Sequence, residues 1–167
     1  MKKVRHLLYV IILIALDQLT KLYALNSLKG KDSFTIIPKV LSLYYHENTG
    51  AVWGIMSDKT SLLAVISTVI LVFLTFIYFK IPNTKRHLYM QWIVVFITAG
   101  AIGNLIDRIF RQYVVDFIYF ELIDFPIFNV ADMYVSVSAV ILIALGLFYY
   151  KDEDFEFLES KKKANKQ

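Results

Sequence analysis

Leu62-Leu63-Ala64-Val65-Ile66-Ser67-Thr68-Val69-Ile70-Leu71-Val72-Phe73-Leu74-Thr75-Phe76-Ile77-Tyr78-Phe79 runs without a single charge. As a helix this stretch is long enough to cross about 30 Å of hydrocarbon. Three more stretches, 4–25, 88–106 and 128–150, have similar length and character. The 167 residues are 57% hydrophobic and only 19% charged, against about 25% charged in soluble domains. The expected class is an α-helical membrane protein, with four transmembrane helices forming one domain over 1–150 and a charged, mobile tail at 151–167.

Charge placement sets the orientation. Lys2, Lys3 and Arg5 precede the first span, Lys80, Lys85 and Arg86 separate the second from the third, and Lys151, Lys161, Lys162, Lys163 and Lys166 follow the fourth. The positive-inside rule then puts both termini and the loop 81–87 in the cytoplasm, with the connections 26–61 and 107–127 outside. The net charge of +4 follows from that topology, and no nucleic-acid partner is expected. The first span opens like a signal peptide but continues into Asp17-Gln18-Leu19-Thr20-Lys21, not a small-residue cleavage site, so it reads as an uncleaved anchor. The chain has no cysteine, which excludes disulfides, thiolate catalysis, Cys-ligated metals and a lipidated cysteine of its own.

The outer connections are unusual. Phe34-Thr35-Ile36-Ile37 and Leu41-Ser42-Leu43-Tyr44-Tyr45 favour strands, are separated by Pro38, and end at Asn48-Thr49-Gly50. They predict a small extracytoplasmic β-cradle over about 32–50, at the interface where backbone groups find partners. An apolar patch with Trp53 follows at 51–56. Tyr113-Val114-Val115-Asp116-Phe117-Ile118-Tyr119-Phe120 is too greasy for a water-facing segment. It reads as an outer loop, with 111–125 a mobile lid that closes over substrate. In the third span Ala99, Gly100, Ala101 and Gly103 would let helices approach closely.

Carboxylates are the candidate chemistry, because one placed in hydrocarbon costs roughly 2.5–3.5 kcal/mol and normally marks a site. Asp116 sits between Val115 and Phe117 with no basic neighbour, and an exposed turn aspartate is its plain alternative. Asn129 and Asp132 open the fourth span. They fit an N-cap with an acidic third residue, which would also keep Asp132 ionised and aimed. Asp17 and Lys21 share a helical face and are expected to pair, and Asn104 and Arg108 share another. Asp107-Arg108 reads either as an ion pair ending the helix, or as leaving Arg108 free for a peptide carbonyl or lipid headgroup. His6, His46 and His87 are scattered without metal-ligand spacing, and there is no G-x-S-x-G, P-loop or dinucleotide fingerprint. No metal and no cofactor are expected.

Five motifs then occur in one order: Asp17-Gln18-x-x-Lys21, Asn48-Thr49-Gly50-Ala51, Gly103-Asn104-x-x-Asp107-Arg108, Val114-Val115-Asp116-Phe117 and Phe128-Asn129-Val130-Ala131-Asp132. Together they resemble the lipoprotein signal peptidases (signal peptidase II) across 17–132. Val52 is a departure, where that family often has Ala. The resemblance implies four transmembrane helices, an outer β-cradle and a catalytic dyad of Asp116 and Asp132. It places Asn48, Gly50, Asn104, Arg108 and Asn129 around substrate, and Asp17, Lys21 and Asp107 in structural support. The implied activity is that of a bacterial inner-membrane aspartic endopeptidase acting near the outer face. It would cut diacylglyceryl prolipoprotein just before the lipidated cysteine, as a monomer among membrane lipids. A small ion- or proton-coupled carrier is the alternative, but it would favour carboxylates at mid-membrane and a repeat of broken helices. A non-catalytic scaffold gives no reason for two isolated carboxylates.

Overall fold

A computed structural model describes residues 2–50 and 56–158. The Trp53 patch and the last part of the tail lie outside the described residues. Four helices, α1 (Lys2–Leu28), α2 (Thr60–Lys80), α3 (Leu88–Arg111) and α4 (Val130–Phe148), are each long and apolar enough to cross a membrane. α2 has a mean hydropathy of 2.7 and buries only Thr60 and Leu63. An all-round apolar helix of this kind belongs against lipid, and Val65, Val69, Val72 and Phe73 are all exposed for it.

α3 is the central helix and packs on α1, α2 and α4. Its small residues make the approach possible. A Cβ on Gly100 would stand 2.5 Å from the Ala131 carbonyl oxygen, and one on Gly103 would stand 2.5 Å from Asp17 Oδ2. Both glycines therefore hold the start of α4, and the polar face of α1, against α3.

On the outer side, β1 (Phe34–Ile37), β2 (Leu41–Asn48) and β3 (Val114–Phe120) form an antiparallel sheet in the order β1-β2-β3. The first two strands fall within the cradle expected from sequence. The third is a correction, because 114–120 is not a loop. It pairs with β2 through Asn48↔Val114 and His46↔Asp116, and its other side is bridged by Ile118 to Phe128. Phe128 exchanges backbone hydrogen bonds with Ile118 at 2.8 and 3.0 Å.

Alternation along β3 explains the greasy composition. Val115 and Phe117 pack with Ala24 and Leu28 of α1, while Val114 and Asp116 face the other way. Phe117 is thus core, and a lid made of the whole 111–125 segment does not fit a strand held along both sides. α3 also runs further than the 88–106 span, ending at a left-handed Gln112 (φ 64°) that turns the chain into β3.

The tail is also partly built. Asp152–Leu158 forms 3-10 turns, and Phe155 and Phe157 pack on a cluster that includes Ile81, Met90 and Tyr150. Arg86 grips Asp154 through both carboxylate oxygens, and His87 Nε2 lies 3.1 Å from the Asp154 carbonyl oxygen. That bidentate cation holds the Asp154 carboxyl at about 2, well below its usual value.

Candidate active site

α4 begins in a capping box. Asn129 Oδ1 accepts from the Asp132 backbone N at 3.0 Å, and Asp132 Oδ2 accepts from the Asn129 backbone N at 3.1 Å. Neither Lys59 before α2 nor His87 before α3 makes a side-chain cap. The next free N–H of α4, that of Ala131, is taken by Asp17 Oδ1 of α1 at 2.9 Å. The cap of α4 itself and one carboxylate of α1 therefore satisfy the first turn of α4, and Asp132 is fixed at its third position.

The same Asn129 side chain reaches across to the sheet. Its Nδ2 donates to Asp116 Oδ1 at 2.6 Å and to Asn104 Oδ1 at 3.1 Å. Asn48 Nδ2 donates to Asp116 Oδ2 at 2.8 Å, and Asn104 Nδ2 donates to Asp132 Oδ1 at 2.8 Å. All four oxygens of the two carboxylates accept a hydrogen bond, and a single amide, Asn129, touches both residues. Asp116 is almost fully buried. Burial, and then the charge of Asp132, raise its carboxyl to about 7, and the opposing donation from Asn48 and Asn129 is too weak to prevent this.

Beneath the pair lies a buried charge cluster. Lys21 Nζ donates to Asp17 Oδ2 at 2.9 Å, Asp107 Oδ2 at 3.1 Å and Asn104 Oδ1 at 2.8 Å, which uses all three of its hydrogens. Asp107 also accepts from Arg111 and, at 3.2 Å, from the Val115 backbone N. Each supporting carboxylate thus holds the residue immediately before a candidate catalytic one: Asp17 holds Ala131, and Asp107 holds Val115. Of the two readings of Asp107-Arg108, the ion pair does not occur, and Arg108 is left unpaired by Asp107. Asp107 is four residues from Arg111 on one helical face, and Lys21 meets it from α1.

Asn48, Gly50, Asn104, Arg108, Asp116 and Asp132 all line one cavity of about 1360 Å³, which runs on past Met133 and Ser136 of α4. Asn129 does not fit the expected place beside substrate. It is fully buried, and three of its four hydrogen-bonding positions are occupied inside the site. Asn104 is at the wall but equally engaged. Arg108 has buried Nε without a hydrogen-bond partner among the described residues, and its Nη2 makes only a long 3.4 Å contact to the Gly50 carbonyl oxygen. Its guanidinium is available to something in the cavity.

Gln18 was not singled out from sequence. Its Nε2 donates to the Gly103 carbonyl oxygen at 3.1 Å and to Asp17 Oδ2 at 3.2 Å. Its position beside Asp17, one turn before a buried lysine, was the available signal. Among the described residues no three His, Asp or Glu side chains are grouped to hold a metal ion.

Comparison with known proteins identifies a family. The family model described as Signal peptidase (SPase) II matches residues 9–148. Lipoprotein signal peptidases from Staphylococcus aureus strains JH9 and Newman are each 39% identical over 139 residues, covering 82% of this chain and 84% of theirs. Two solved structures, described as bacterial membrane enzymes determined by the in meso method at 2.3 and 1.9 Å resolution, superpose with TM-scores of 0.73. They are 37% and 38% identical, covering 89% and 88% of this chain and 92% and 94% of theirs. A four-span, multi-pass membrane protein with this match is neither a carrier nor a scaffold: the chain belongs to the signal peptidase II family of aspartic peptidases.

Proposed function

We propose that this protein removes the signal peptide from diacylglyceryl-modified prolipoproteins, cutting N-terminal to the lipidated cysteine with a water activated by Asp116 and Asp132. The observation that carries this reading is the pair of carboxylates tied through Asn129 at the wall of one large cavity, one of them held protonated up to about 7.

Asp132, anchored at the helix N-terminus, is the base. It takes a proton from water as the water oxygen attacks the scissile carbonyl carbon, while Asp116 gives its proton to the carbonyl oxygen. Collapse of the tetrahedral intermediate breaks the C–N bond. The amine nitrogen takes the proton held by Asp132, and the reforming carbonyl returns one to Asp116. The dyad ends as it began and titrates as a unit. Asn48 and Asn129 keep Asp116 oriented, Asn104 does the same for Asp132, and Arg108 offers its unused N–H to substrate carbonyl or developing charge. The cavity extends along α4 toward hydrocarbon, where the diacylglyceryl chains remain in lipid while the peptide bond reaches the dyad. The enzyme acts as a monomer, one four-helix membrane domain with both termini in the cytoplasm and its site near the outer face of the bacterial inner membrane.

The test uses purified protein in lipid nanodiscs with a synthetic peptide carrying diacylglyceryl-cysteine, alongside the same peptide unmodified. Mass spectrometry should show one cut, immediately before the modified cysteine, and little turnover of the unmodified peptide. Cleavage elsewhere, or equal turnover of both peptides, contradicts the proposal.

A further inference from the structure

A second cavity lies at the opposite end of the molecule from the carboxylates. It measures about 360 Å³, within the range of about 300–1,000 Å³ usual for small-ligand sites, and is bounded by the first turn of α1, the last turn of α2 and the loop that follows. Lys2, Lys3 and Lys80 stand in its wall, with no carboxylate among the lining residues. Among the described residues these three lysines take part in no ion pair, whereas nearby Arg86 is neutralised by Asp154. Two of the ammonium groups rest on aromatic faces: Lys3 Nζ is 4.6 Å from the Phe79 ring centroid and Lys80 Nζ is 4.7 Å from that of Phe76. The first turn of α1 adds its free backbone N–H groups to the same positive end.

Positive-inside topology accounts for lysines on this side, but not for their convergence on a cavity. The surroundings identify the anion. Phe79, Phe76 and Val4, beside the lysines, are 62%, 55% and 71% exposed on lipid-facing helix surfaces. A soluble phosphate compound has no use for that surface, whereas acyl chains do. We propose that this cavity binds the phosphate headgroup of an anionic phospholipid from the leaflet on the side of the termini, with its chains along Phe76 and Phe79. Lys2, Lys3 and Lys80 neutralise the phosphate, and the bound lipid bridges α1 to α2.

The experiment measures lipid retained by the purified full-length protein, using native mass spectrometry with phosphatidylglycerol or phosphatidylcholine as the probe. The wild type should retain phosphatidylglycerol at least tenfold better than phosphatidylcholine. Combined Lys2→Gln, Lys3→Gln and Lys80→Gln should abolish the preference with peptidase activity intact. A charge-matched variant, Lys161→Gln, Lys162→Gln and Lys163→Gln, should keep it. Should the triple cavity variant fail to fold, Lys80→Gln alone should weaken retention measurably. No headgroup preference in the wild type, an equal loss in the tail variant, or displacement of the lipid by millimolar glycerol phosphate would each overturn the proposal.

Discussion

The side-chain nitrogen of Asn129 donates to Asp116 Oδ1 at 2.6 Å, tying the strand-borne carboxylate to the cap of the helix that carries Asp132. One side chain thus sets the spacing of two acids brought from a strand and a helix. Asn129→Ser keeps a good N-cap but withdraws the amide from Asp116 and Asn104. We expect kcat to fall about 10²-fold, as for other small misplacements of catalytic groups, with secondary structure by circular dichroism unchanged. Near-normal turnover would show that Asp116 is held by Asn48 alone.

The raised carboxyl of Asp116 gives the pH profile a sign. A group lifted to about 7 is neutral below that value and ionised above it. Since the mechanism requires its proton, kcat/KM should decline as pH rises through about 7, toward tenfold per unit. A rate that stays flat to pH 9 would mean that another group supplies the acid.

The Lys21 cluster makes the supporting layer vulnerable. Both Lys21 and its two carboxylate partners are fully buried. Lys21→Met leaves Asp17 and Asp107 without their shared cation, and breaking a buried pair in this way costs about 3–5 kcal/mol. A large fall in the thermal unfolding midpoint in detergent is expected, and a change below the equivalent of about 1 kcal/mol would refute the structural role.

Gly100→Ala tests how closely α4 must approach α3. The added methyl would meet the Ala131 carbonyl oxygen at 2.5 Å and Val135 Cγ2 at 2.9 Å. Backbone cannot yield as a flexible side chain does, so the start of α4 should shift, with a cost of about 1–3 kcal/mol and a loss of activity larger than the loss of stability. Wild-type stability and turnover together would contradict it.

Much of this architecture was legible from local pattern. The spans follow from uninterrupted apolar length, and the Asn129–Asp132 box from its spacing. Asp17 and Lys21 pair because four residues place them on one face. What escaped was set by tertiary pairing. The segment around Asp116 looks like a loop until β2 provides a partner strand, and Phe117 looks like part of a lid until α1 covers it. Adjacency left open whether Asp107 pairs with Arg108, and helical geometry gives Asp107 to Arg111 and Lys21. The family resemblance placed Asn104 and Asn129 around substrate, and only Asn104 lines the cavity. Only the three-dimensional hydrogen-bond inventory shows that they are already engaged with the two acids.

The central claim is that Asp116 and Asp132 together activate the attacking water. Its most direct test is single-turnover cleavage of a diacylglyceryl peptide by purified Asp116→Asn and Asp132→Asn proteins in nanodiscs. Each substitution keeps the shape of the side chain and removes the exchangeable proton site. The account predicts that both variants insert and fold, and that each loses at least about 10²–10⁴-fold in rate, the usual contribution of a general acid or base. Cleavage by either variant within tenfold of the wild-type rate would contradict it.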